Sequence, residues 1–433
     1  MRVCALVLLL SIGVALCGCS RLAQTTAGRA EAAELVTSGK PRDLAPNVTP
    51  AQLGHVAVSN NSFAFDLYQR LRGNGGNLFF SPYSISTALA MTYAGARGQT
   101  AAQMAKALHF YLPPDQLHPA FNALDLELAS RGKESTGRSG GPFRLHVANA
   151  LWGQTGWKFL PGFLDILAED YGAGMRLVDF GNTEAARGAI NQWVSQQTEG
   201  MITDLVPASA LQTEVVFVLT NAVYFDAAWQ SPFHAESTAQ GPFSLLDGSE
   251  VSVEMMHQSE AFRYAEGDGY QALQMPYRGE ELAMVILLPS PGRFEEFDAS
   301  LDIFRAGAIL DSLARRPVIV TVPKFTYGST FSLVKALSDM GMPDAFRPIA
   351  DFSGIDGSRF ILLSAVLHEA LVRVDERGTE AAAATAVIGA GGAAGPSARP
   401  IEFIVDRPFI FLIRDVKTGT ILFLGRVLDP REK

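Results

Sequence analysis

Apolar and polar positions along the chain predict helices first and strands later. Phe63, Leu67 and Leu71, with Phe65 and Tyr68, recur at helical spacing from Val56 onward. Leu78, Phe79 and Phe80 read as a short apolar strand. Ser81-Pro82 then opens a second helix, the serine as N-cap and the proline as first helical residue. Further helical stretches are predicted at 98–107, 117–131, 161–170 and 184–198. From Val215 the texture becomes strand-like, at 215–226, 270–276, 282–288, 317–324, 360–374, 402–405, 408–414 and 420–427. This order predicts an α+β fold rather than alternating βαβ units. The polar run Ser130 to Gly141 reads as a surface loop.

The two least periodic stretches need separate treatment. After Arg2, fourteen residues from Val3 to Leu16 carry no charge. That is too short to span a bilayer and suits the apolar region of an export signal. It ends in Leu16-Cys17-Gly18-Cys19, which resembles the lipobox of bacterial lipoproteins. The resemblance implies a signal over 1–18, cleavage before Cys19, diacylation of its thiol and a lipid bilayer as partner. An ordinary export signal, simply removed, is the alternative, leaving a secreted protein. Ser20 in place of an aspartate leans toward the outer membrane, on its periplasmic or cell-surface face. Residues 19–52 are rich in Ala, Thr, Ser and Pro and read as a flexible tether. The folded domain is then expected over 53–433.

The second stretch, Ala381 to Ala398, is eighteen residues of mostly Ala and Gly without a charge. A linker between domains is the plain reading. Yet only 35 residues follow, too few to bury a core of their own, so their strands must return to the preceding body. Long excursions of this kind from compact domains are usually functional. Alternate positions Thr379, Ala381, Ala383, Thr385 and Val387 are small or β-branched and uncharged. Such a segment suits either an exposed loop or a strand buried within a sheet.

Composition narrows the classes. Of 433 residues, 48% are hydrophobic and 18% charged, which supports a large core and excludes a disordered chain. The net charge of −9 argues against a nucleic-acid partner held through phosphates. All three cysteines, Cys4, Cys17 and Cys19, lie in the first nineteen residues, so cleavage before Cys19 leaves no disulfide or thiolate cluster. Seven histidines, at 55, 109, 118, 146, 234, 257 and 368, show no metal spacing, and no metal or other cofactor is expected. His368 stands apart: it lies in the apolar run Ile361 to Val374 and needs a hydrogen-bond partner if buried. Gly137-Arg138-Ser139-Gly140-Gly141 fits the G-x-S-x-G pattern of serine hydrolases but lacks the strand before it and the helix after it. Gly389, Gly391 and Ala394 match a degenerate dinucleotide pattern with no helix to hold a pyrophosphate. No catalytic constellation is expected.

The run Val374-Asp375-Glu376-Arg377-Gly378-Thr379-Glu380-Ala381-Ala382-Ala383-Ala384-Thr385-Ala386 resembles the hinge of the serpins, the serine protease inhibitor family. Three more stretches agree in order and spacing: Asn77 to Ser86, Leu219 to Phe225 leading to Trp229, and Arg407 to Ile413 with Phe423 to Val427. The resemblance covers roughly residues 55 to 430. It implies helices with three β-sheets and an exposed reactive-centre loop at about 376–400. It also implies a suicide-substrate inhibitor, a monomer whose partner is a serine protease. The protease attacks the loop, forms an acyl-enzyme, and is trapped when the hinge inserts as a new strand in the central sheet. The fold without that activity, a binding protein whose loop is merely cleaved, is the alternative.

Carried over residue by residue, Gly378 corresponds to the hinge glycine, Thr379 to the first side chain to enter, and Ala381, Ala382, Ala383 and Ala384 to the small-residue tract. Glu376, Lys324 and Trp229 correspond to a gate on sheet opening. Ser81, Ser84, Asn221 and His368 correspond to a polar cluster lower in the sheet. Counting forward from Glu376 places the reactive bond between Gly392 and Ala393, whereas counting back from Arg407 reaches Ser397. Every residue from Ala390 to Ser397 is small or proline, which implies an elastase-like or subtilisin-like target. Arg399 lies too far from the hinge to suit a trypsin-like one.

Overall fold

The structure is a computed structural model that describes residues 33–132, 144–208, 210–211, 217–379 and 399–432, with backbone alone at 144–146. Two sheets pack with the helices around one large apolar core. A smaller core lies between the central sheet and the helix Thr183–Gln197. The central sheet runs, in spatial order, Glu34–Val36, Met175–Val178, Arg144–Gln154, Phe217–Ala228, Gly378–Thr379, Ala365–Val374 and Phe325–Ser332. The other nine strands form the second sheet. Its eighteen-residue strand Glu250–Gly267 pairs with three of the others. Its first part pairs with Ala239–Ser244 and its last with Tyr270–Pro276, so the second and third expected sheets share one continuous ladder.

Local chemistry explains the helix beneath the central sheet. Ser81 caps Pro82–Tyr93 by accepting the Ser84 N–H at 3.2 Å, and Pro82 supplies the first helical φ. Ten of its twelve residues are buried, which is why it shows no polar stripe. It contacts Phe217–Ala228, Arg144–Gln154 and Ile421–Val427 together.

Several elements differ from the sequence reading. Residues 33–49 were expected within a flexible tether, but Glu34–Val36 adds an antiparallel strand to Met175–Val178. Lys40 then meets Asp165 and Glu169 at 3.1 Å each, and Arg42 donates to Asn122 at 2.9 Å and Asp125 at 2.7 Å. A segment held by scattered polar partners has no hydrophobic period to betray it. The first helix begins at Pro50, where Thr49 and Gln52 form a capping box. Residues 360–364 precede the strand Ala365–Val374 instead of opening it, with Phe360 pointing to solvent. Strands Arg144–Gln154, Met175–Val178, Glu250–Gly267 and Phe325–Ser332 were not predicted. Phe325–Ser332 is interrupted by Gly328 and serines, and Glu250–Gly267 alternates irregularly because it changes neighbours along its length.

Candidate functional site

The centre of the sheet contains a parallel seam. Phe217–Ala228 and Ala365–Val374 pair side by side from Ala365–Val218 up to Leu371–Tyr224. Above that rung they part, and Gly378–Thr379 occupies the opening. This two-residue strand is antiparallel to both neighbours, with Thr379 opposite Ala227 on one side and Val374 on the other. Any continuation of it would have to split the parallel seam below and would form an antiparallel ladder on each side. Gly378 is required by close approach: a Cβ there would lie 2.1 Å from the Ala227 carbonyl oxygen and 2.7 Å from Ala228 Cα.

A tryptophan holds the turn that feeds this strand. Trp229 donates its indole N–H to the Asp375 carbonyl at 3.0 Å and its backbone N–H to the Arg377 carbonyl at 2.8 Å. Phe233 N–H reaches the Glu376 carbonyl at 2.8 Å. The Trp229 ring stacks on Tyr277 at 4.6 Å, and the Tyr277 hydroxyl lies 2.8 Å from Thr379 Oγ1, which is buried. Burial raises the Tyr277 hydroxyl pKa far beyond the usual phenol range, so it stays protonated.

The Glu376 carboxylate sits 3.3 Å from Lys324 Nζ and accepts from Thr238 Oγ1 at 2.8 Å. Lys324 also lies 3.6 Å from Glu254. Burial raises the Glu376 pKa, but hydrogen bonds from its own backbone N–H, Thr238 and Lys324 outweigh it and leave the carboxyl below its ordinary value. Only 14% of the Glu376 side chain is exposed, so this ion pair is screened less than one in open solvent.

Six residues below Ala227 and Val374, the seam carries a polar rung. Asn149, Asn221 and His368 lie side by side on adjacent strands. The Ser81 N–H donates to His368 Nε2 at 3.3 Å, so the neutral ring carries its proton on Nδ1 and donates it to Asn221 Oδ1. Asn221 Nδ2 donates to Ser84 Oγ and Asn149 Oδ1, and Asn149 returns a bond to the Ser84 carbonyl at 3.2 Å. Ser81 Oγ donates to the Leu422 carbonyl at 2.7 Å. Burial pushes the His368 pKa down to about 3.

This lowered pKa carries a pH dependence of known sign. The unfolded chain takes up the His368 proton near the ordinary pKa of about 6.5, before the folded chain does, so stability falls as pH drops from there toward 3. The slope reaches about 1.4 kcal/mol per pH unit per buried histidine. His118, pushed by burial to about 4 and hydrogen-bonded to the Tyr171 hydroxyl at 2.7 Å, adds a second such slope above pH 4. Thermal melts from pH 7 to 4 are expected to show His368→Gln losing part of the acid sensitivity, with His118 among the groups that keep the remainder. An unchanged slope in that variant would contradict this assignment.

The structure thus brings Trp229, Lys324, Glu376, Gly378 and Thr379 to the top of the seam, and Ser81, Ser84, Asn221 and His368 to one cluster below. Ala381 to Ala384, Gly392, Ala393 and Cys19 lie outside the described residues, as do Ser139 and Gly389 to Ala394. Sequence reasoning missed Tyr277, Thr238, Glu254 and Asn149. A signal existed for Asn149: Asn149-Ala150-Leu151-Trp152 repeats the apolar run with one amide seen in Asn221-Ala222-Val223-Tyr224. Among the described residues, no helix is long and apolar enough to cross a membrane, and no group of His, Cys, Asp and Glu could hold a metal ion.

The family model described as Serpin (serine protease inhibitor) matches residues 58–430. An uncharacterized serpin-like protein of Thermococcus kodakarensis is 44% identical over 86% of this chain and 85% of its own. Leukocyte elastase inhibitor A of Rattus norvegicus is 40% identical over 87% of this chain and 99% of its own. Among solved structures, the native state of the thermophilic protein tengpin superposes with a TM-score of 0.79 at 28% identity, covering 92% of this chain and all of that one.

Proposed function

The chain belongs to the serpin family, and from that premise we propose that it is a suicide-substrate inhibitor of serine proteases with elastase-like or subtilisin-like specificity. Cleavage of the loop beyond Thr379 frees the hinge, which descends through the parallel seam while the acyl-enzyme is still intact. The observation that carries this reading is Gly378–Thr379, already seated between the seam strands and antiparallel to both. The residues from Ala390 to Ser397, all small or proline and including the Gly392–Ala393 bond, suit a shallow specificity pocket. Relatives named leukocyte elastase inhibitor support the same class of target. We further propose that the protein acts outside the cytoplasm, held to the outer membrane through acylated Cys19 and the residues that follow it.

The test mixes the protein with pancreatic elastase and, separately, with a subtilisin, then runs denaturing gels. A covalent band at the summed mass, less the released carboxyl-terminal peptide, is expected with at least one of them. The mass of that peptide gives the reactive bond. Quantitative loop cleavage with both proteases fully active would overturn the inhibitory reading.

A further inference from the structure

The central sheet leaves a gap at its outer side. Arg144–Gln154 pairs with Phe217–Ala228 from Arg144 to Gly153, but with Met175–Val178 only from Leu151 to Gln154. Upstream of Leu151 its outer edge has no strand partner among the described residues. An unpaired edge of this kind presents backbone N–H and C=O groups to any extended chain that fits beside it. Here the edge at Val147, Asn149 and Ala150 borders a cavity of about 370 Å³, closed by the helices Pro82–Tyr93 and Pro161–Tyr171. That volume falls within the ~300–1,000 Å³ typical of small-molecule sites.

Two opposite charges line this cavity without a salt bridge among the described residues. Arg176 stacks its guanidinium over Trp193 at 4.5 Å, and no carboxylate pairs with it among the described residues. Among the described residues, Asp170, which lines the same space, has neither an ion pair nor a hydrogen bond to a side chain. The other charged pair in the wall is satisfied: Arg42 donates to Asp125, which also accepts from the Tyr83 hydroxyl at 2.8 Å. Burial pushes the Asp170 carboxyl up to about 6, with Glu169 and Asp43 adding to it and Arg42 opposing. A cation brought to that carboxylate would relieve the cost.

We propose that this cavity is a binding site for a di- or tripeptide with free termini, its main chain along the Val147–Ala150 edge, its ammonium at Asp170 and its carboxylate at Arg176. An open strand edge with one unpaired charge of each sign matches the three features every short peptide carries. Capped or longer chains lose one or both terminal contacts, so the site discriminates by length and by free ends.

The experiment is calorimetric titration of the whole protein with alanyl-leucyl-alanine and with its N-acetylated, C-amidated and doubly capped forms. The free tripeptide is expected to bind with a Kd below about 1 mM, each single cap weakening it at least tenfold. In Arg176→Met the penalty for C-amidation should vanish, and in Asp170→Asn the penalty for acetylation. The capping series on the unmodified protein stands even if a variant fails to fold. Absence of heat at 10 mM peptide, or equal binding of the doubly capped form, would overturn the proposal.

Discussion

Thr379→Arg is expected to abolish the covalent complex while leaving loop cleavage at its original rate. Thr379 is only 1% exposed, and its hydrogen-bond partner is the Tyr277 hydroxyl rather than a carboxylate. An arginine at that point must either stay out of the sheet or bring its guanidinium into a site that offers no counter-charge. Burying an unpaired charge costs several kcal/mol, and about 4 kcal/mol on the insertion barrier slows insertion ~10³-fold. Deacylation then wins the competition, and the protease leaves with the loop cut. Thr379→Val is the control, since it keeps the shape and forfeits one hydrogen bond worth about 1 kcal/mol. Denaturing gels are expected to show the complex with valine and only the cleaved chain with arginine. A stable complex with the arginine variant would refute insertion as the trapping step.

How far the sequence reveals this site depends on the kind of contact involved. Pro82–Tyr93 was legible because its cap is local: Ser81, Pro82 and Ser84 lie within four residues. The proposed hinge stands out in the sequence because insertion would demand an uncharged alternating pattern. The Glu376–Lys324 pair and the His368 cluster came from family resemblance, since nothing in local spacing joins residues 52 or 147 positions apart. Tyr277 gave no signal at all. It is one tyrosine among ten, and its role follows from stacking on Trp229 and reaching Thr379 across the sheet. The segment 33–49 was misread for the converse reason, since its composition suits a tether while its partners, Asp165, Glu169, Asn122 and Asp125, lie 80 or more residues away.

Cleavage of the loop by a protease that does not stay bound is expected to raise the melting temperature by roughly 10 °C. Trapping an acyl-enzyme against ~10⁶-fold faster deacylation asks for about 8 kcal/mol, which the proposed insertion would supply. With unfolding entropy near 2.1 cal/mol/K per residue, that gain moves the midpoint of a chain of this size by about 10 °C. The register already present fixes where the entering strand would land. Six residues beyond Thr379 is Thr385, and six residues back from both Ala227 and Val374 are Asn221 and His368. Insertion separates Asn221 from His368 and sets a threonine hydroxyl between them, so the buried imidazole N–H exchanges one acceptor for another. Thr385→Val removes that acceptor. It leaves a buried donor unsatisfied at about 1–3 kcal/mol, which takes roughly 1–4 °C from the rise. Scanning calorimetry before and after cleavage reads both effects. No rise on cleavage would mean that the seam stays closed below Tyr224–Leu371, and a full rise in Thr385→Val would mean that the strand enters in a different register.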